Sequence, residues 1–183
     1  MSTDAHTQTR VQTKTVEGVG FLSPPATNFK SKYEEREYIK GRLAAAFRIF
    51  ARFNLNEGAA GHITARDPIE ADTFLNKPAS TIHGAIHAAR SDVICAAHTH
   101  SVYGRAICAL GKPLDMLTLE ACMFYKSFRQ DYYIYDGKGV VLEGEEAAQI
   151  AKALGDKKAA ILKNHRLLTT GATIEETVHW FTH

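Results

Sequence analysis

The alternation of apolar and polar positions divides the chain into interleaved helices and strands. Ser31 and Glu34 form a capping box, and Ile39, Leu43, Phe47 and Phe50 then recur at helical spacing, which predicts a helix from Lys32 to about Phe53. Asn54 to Gly58 supplies the turn residues that end it. From Gly61 to Arg66 the period changes to two, with Ile63 and Ala65 on one face, as in a short strand closed by Asp67 and Pro68. A second helix is expected over Pro78 to Arg90, a strand over Val93 to His98, and a helix over Ser101 to Leu110, ended by Gly111 and Pro113. The pattern weakens from Leu117 to Lys126, where Glu120 to Phe124 fits a short helix. Tyr132 to Tyr135 and Val140 to Leu142 flank Asp136 to Gly139 and read as two strands joined by a turn. Glu145 to Leu154 is amphipathic with Gly155 as its cap, Ala159 to Leu162 and Leu167 to Thr170 read as strands, and a second capping box, Thr173 with Glu176, opens a last helix. Helices alternating with strands in this way cover a central sheet, giving an α/β or α+β class built in layers.

Composition adds bounds to that picture. A chain of 183 residues with 45% hydrophobic and 23% charged content can bury one core, so a single domain over 31–183 is expected behind a Thr, Gln and Ser-rich tail over 1–30. The formal net charge of +2 comes from scattered Lys and Arg rather than a basic stripe, which argues against a nucleic-acid partner. Cys95, Cys108 and Cys122 form no paired spacing and sit in apolar surroundings, so they are expected to be small buried hydrophobes in a reducing compartment. The tail has neither a basic nor an apolar signal region, and no apolar run is long enough to span a bilayer, so a soluble, cytoplasmic protein with no membrane partner is expected.

The candidate chemistry is carried by histidine. His98 and His100 end an apolar strand two residues apart, so both imidazoles would share a face, which is a metal-binding geometry. His165 stands past the end of another apolar strand and is the candidate third ligand; three His with an open position is a catalytic rather than a structural zinc pattern. His83 and His87 are rivals, four apart on one helix face, although their mostly apolar setting reads them as core or supporting residues.

Taken together, Glu57 to Pro68, the helix ending at Arg90, Val93 to Ser101, Ala159 to His165 and the capped helix from Thr173 resemble the class II aldolase/adducin family, in the family's order from about Tyr33 onward. The resemblance implies a three-layer α/β/α fold with a central mixed or antiparallel sheet. It also implies a divalent metal, most often Zn2+, on His98, His100 and His165, and a homo-tetramer acting on a small-molecule substrate. Either a lyase or an epimerase would fit it, with a non-catalytic adducin-like module binding actin or spectrin as the alternative.

The chain departs from the family pattern at four places. The acid/base Glu expected before the His-x-His strand is replaced near Ala79, leaving Glu120 and Tyr125 as weak stand-ins chosen for chemistry and rough location. Gly61 and His62 stand where the sugar-phosphate enzymes bind phosphate through Gly-Asn, which points to a hydroxy-carbonyl substrate without phosphate. Arg166 replaces the Gly after the third histidine. Phe74 runs directly into Leu75 where the family carries a longer segment, which is either lost from the gene or omitted from the chain as given, omission being the expectation because a deletion would strip strands from the sheet.

Overall fold

The computed structural model describes residues 28–56, 61–70, 73–76, 81–124, 128–129 and 144–182. Helix α1 (Lys32–Arg52) is capped as its sequence requires: Ser31 Oγ accepts from the Glu34 amide at 3.2 Å. The Glu34 carboxylate returns to the Lys30 amide at 2.6 Å, one residue earlier than in the standard box. Leu43, Ala46 and Phe50 of α1 are buried, and a fully buried Phe contributes about 1.5–3 kcal/mol relative to exposure. The helix stops at Arg52, before Phe53, because Asn54 turns into the left-handed region at φ 54°.

After α1 come β1 (His62–Arg66), β2 (Phe74–Leu75), α2 (Thr81–Ala89), β3 (Cys95–Thr99), α3 (Val102–Leu110) and α4 (Leu119–Cys122). They are followed by β4 (Phe128–Arg129), α5 (Gly144–Leu154), β5 (Ala159–Ile161), β6 (Leu167–Gly171) and α6 (Ile174–Thr182). The strands form one six-stranded sheet in the order β2-β1-β3-β6-β5-β4, antiparallel throughout except for the parallel β4–β5 pair, so the central sheet is mixed. On one face, Ile63, Ala65, Cys95 and Ala97 pack with α1 and α6. On the other, Ala160 and Leu168 pack with Ile82 and Ile86 of α2 and Leu154 of α5. Sheet and two helical coats make the three layers, and because both faces are covered, Thr64 is as buried as Ile63 and Ala65.

Two sequence expectations shift. Strand β3 begins at Cys95 rather than Val93, because the Val93 amide closes the end of α2 on the Arg90 carbonyl at 3.2 Å. Cys122 is exposed, unlike buried Cys95 and Cys108, since α4 is a single turn with no buried residue. The proposed strands over Tyr132 to Tyr135 and Val140 to Leu142 lie outside the described residues, as do Ala79 and Tyr125.

The second capping box forms at α6, where Thr173 Oγ1 accepts from the Glu176 amide at 3.0 Å and the Glu176 carboxylate accepts from the Ala172 amide at 2.8 Å. Among the described residues, no helix is long and apolar enough to cross a membrane.

Candidate metal and substrate site

The sheet register assembles the site. His62 on β1 pairs directly with His98 on β3, so both side chains leave the sheet on the face covered by α2. Gly61 sets the entry to β1 at φ 100°, and a Cβ there would lie 3.1 Å from both Asn56 Cα and Leu55 O, so the approach to His62 requires glycine. From α2, His83 and His87 turn inward, and they are 0% and 6% exposed against 3% for His98.

These groups form a continuous hydrogen-bond chain. Arg166 Nη1 lies 2.8 Å from His98 Nε2, His98 Nδ1 lies 2.8 Å from His83 Nε2, and His83 Nδ1 lies 3.0 Å from Thr64 Oγ1. His87 Nε2 meets the same hydroxyl at 3.0 Å. A guanidinium only donates, so His98 Nε2 is an acceptor and the His98 hydrogen resides on Nδ1. It follows that His98 donates to His83 Nε2, and that His83 donates through Nδ1 to Thr64. The Arg166 donor thereby fixes the tautomer of His98 on β3, with its lone pair at Nε2, and Thr64 on β1 closes the chain as the acceptor for His83 on α2.

Burial keeps the chain neutral. Desolvation, aided by the Arg166 charge and neighbouring imidazoles, pushes His98 down to about 2; desolvation takes His83 to about 3 and His87 to about 4. His62 and His165 are lowered as well, each chiefly by burial. All are the deprotonated imidazoles that metal ligation requires.

His100 follows the end of β3, its ring 6.0 Å from that of His98, and its Nε2 is buried without a hydrogen-bond partner. His165 lies in the turn after β5, half-buried and close enough to His98 to depress its pKa. In kind these donors suit a divalent ion, and an orphaned buried nitrogen at His100 is what an absent ligand partner leaves. Among the described residues, however, no group of three His, Cys, Asp or Glu side chains is arranged to hold an ion. Arg166 stands on His98 Nε2 at 2.8 Å and His62 Nδ1 lies 3.1 Å from the same atom, so both have to move before an ion can use its lone pair.

Glu120 is placed elsewhere. It is exposed on α4 and lines a cavity of about 790 Å3 together with Phe124, Trp180 and Phe181, beside α6 on the opposite side of the sheet from His83. Sequence reasoning missed Thr64 as the hub of the chain, because one hydroxyl in a strand carries no pattern. It also missed Arg66, whose Nη2 donates to the His87 and Arg90 carbonyls at 2.7 and 3.0 Å and so ties the C-terminal end of α2 to β1.

Residues 76–183 match the family described as the class II aldolase and adducin N-terminal domain. The chain is 36% identical to the meiotically up-regulated gene 14 protein of Schizosaccharomyces pombe, over 82% of this chain and 70% of that protein. It is likewise 36% identical to the decarboxylase NovR of Streptomyces niveus, over 88% of this chain and 71% of the relative. That alignment runs to 197 positions although 88% of 183 residues is about 161, so the relative carries additional residues inside the match. Among solved structures, an L-fuculose 1-phosphate aldolase from Glaciozyma antarctica superposes with a TM-score of 0.73 at 34% identity, covering 86% of this chain and 73% of that one.

Proposed function

The chain belongs to the class II aldolase and adducin family, and from that premise we propose that it is a divalent-metal-dependent enzyme that breaks a carbon–carbon bond beside a carbonyl in a small, non-phosphorylated substrate. The observation that carries this reading is the buried chain ending at His98: a neutral imidazole held in one tautomer, its Nε2 lone pair directed away from His83, with His100 Nε2 unpartnered nearby. His98, His100 and His165 would hold the ion, most simply Zn2+, which supplies Lewis-acid polarisation of a substrate oxygen. Aldol cleavage and decarboxylation share one electronic demand, since both leave an electron pair on carbon conjugated with a carbonyl. The names of the relatives, an aldolase and a decarboxylase, fit that shared demand. His83 and Thr64 orient His98, and His62 with Arg166 faces the substrate side. A homo-oligomer is supported by the apolar side chains exposed at Val102, Tyr103, Leu110, Leu117 and Leu119. The additional residues that the relative carries are consistent with a segment omitted between Phe74 and Leu75.

The test is metal content. The full chain equilibrated with Zn2+ and desalted retains about one equivalent by elemental analysis, on the three-histidine stoichiometry of a catalytic site. The His98→Ala/His100→Ala variant, shown to be folded by circular dichroism, retains none. A folded wild-type chain that never holds stoichiometric metal sinks the reading.

A second reading, a non-catalytic adducin-like interaction module, is favoured by one observation: the Arg166 guanidinium covers the His98 lone pair. Co-sedimentation with actin or spectrin above a control protein would support it.

A further inference from the structure

Arg166 differs from the other arginines that turn inward. Arg36 pairs with Asp67, Arg42 with Glu175 and Arg90 with Asp92, while Arg66 is spent on backbone carbonyls. Arg166 is half-buried, and among the described residues its guanidinium has no carboxylate partner; its recorded acceptor is the neutral His98 imidazole. The guanidinium carries five N–H donors in a planar fork, and one imidazole lone pair leaves most of them without an acceptor among the described residues. Among the described residues, the groups that perturb His62 and His98 electrostatically are Arg166 and other histidines, with no carboxylate among them.

The base of this side chain is fixed while its tip is not. Leu162 N donates to Arg166 O at 2.8 Å, Arg166 N donates to Leu162 O at 3.1 Å, and Asn164, at φ 54°, donates its amide to Cys108 O at 3.1 Å. That turn pins the backbone of Arg166 to α3 and leaves the guanidinium, among the described residues, held by one exchangeable contact.

We propose that Arg166 is the anchor for a substrate carboxylate, which it takes in exchange for His98 Nε2, so that the substrate class is a 2-oxo or 2-hydroxy acid. The proposal rests on the reading of His98, His100 and His165 as the metal ligands. A planar carboxylate matches the guanidinium fork in two parallel hydrogen bonds, and its single charge balances the single cation. A phosphate dianion would need further donors than one guanidinium among neutral imidazoles. Among the described residues, exchange also removes one of the two protein groups on His98 Nε2, because an arginine drawn to a carboxylate leaves that nitrogen with His62 Nδ1, at 3.1 Å, as its remaining contact.

The experiment is calorimetric titration of the full chain with pyruvate and, separately, with inorganic phosphate. Wild type, Arg166→Ala and Arg166→Lys are each measured Zn2+-loaded and chelator-treated, with Zn2+ stoichiometry determined independently. We expect pyruvate binding to weaken by about tenfold or more in Arg166→Ala, the scale of a lost charged hydrogen-bond pair, and to recover in part in Arg166→Lys, with Zn2+ stoichiometry unchanged. Pyruvate affinity that is absent from wild type, or that changes less than about twofold in Arg166→Ala, overturns the anchor while leaving the metal reading intact. Phosphate binding that exceeds pyruvate binding with the same dependence on Arg166 overturns the carboxylate assignment. Arg166-dependent pyruvate binding by a chain that never holds Zn2+ supports the anchor and removes the metal reading instead.

Discussion

Acidification from pH 7.5 to 5.5, with a chelator present, should strip the protein of about 4 kcal/mol of stability through three histidines. In the unfolded chain each titrates near 6.5, whereas in the folded protein His98, His83 and His87 are held at about 2, about 3 and about 4. A folded-state pKa below the unfolded value means that, as pH falls through about 6.5, the unfolded chain takes up protons which the folded protein refuses. The stability is therefore complete above the unfolded value, declines as pH drops below it, and continues to decline until the folded histidines begin to protonate near pH 4. Across two pH units centred on 6.5 each group contributes about 1.4 kcal/mol, so three contribute about 4, a large share of the roughly 5–15 kcal/mol that holds a domain together. Asp67, Asp92 and Asp156, all lowered, act below this window, because their stabilisation is lost only as pH falls through the carboxylate range. Urea denaturation followed by far-UV circular dichroism at half-unit pH intervals measures the slope. A change below about 1 kcal/mol between pH 7.5 and 5.5 would refute the buried, neutral histidine chain.

Two further perturbations test the packing that supports the site. Thr64→Val keeps the shape of the side chain but leaves the His83 and His87 nitrogens without their shared hydroxyl, so a loss of about 2 kcal/mol or more is expected by thermal unfolding, largely restored by Thr64→Ser. Gly171→Ala would set a Cβ 2.8 Å from Thr177 Oγ1, whose one hydroxyl proton is shared between the Thr173 and Cys95 carbonyls; a cost of about 1–3 kcal/mol is expected, with a midpoint shift in urea and an unchanged m-value.

How much of this was legible in the sequence depended on whether the information was local. Both capping boxes and the apolar period of α1 act within a few residues, and the helices they predict begin at Lys32 and Ile174 as the residues require. The edge of β3 was less legible, because the competitor for the Val93 amide is a turn bond to Arg90 rather than a ladder bond. The His-x-His announced itself through its period of two, and the apolar surroundings of His83 and His87 correctly marked them as interior residues. What no pattern carried was that His83 would lie between Thr64 and His98, or that Arg166 would reach His98 across the 68 residues that separate them. Those contacts are made by the sheet order and by helix α2 folding back on it, which only the tertiary structure defines.

The pairing of His62 with His98 and of Ile63 with Ala97 ties the chemistry to strand alignment. Because side chains alternate, a one-residue slip of β1 would carry His62 and Thr64 into the apolar layer under α1 and bring Ile63 and Ala65 against His83. A one-residue slip therefore keeps no part of the site. A single-residue insertion or deletion in the loops flanking β1 is thus read out digitally: either the loop absorbs it and the histidine chain is whole, or the strand shifts and the chain is lost together with the core.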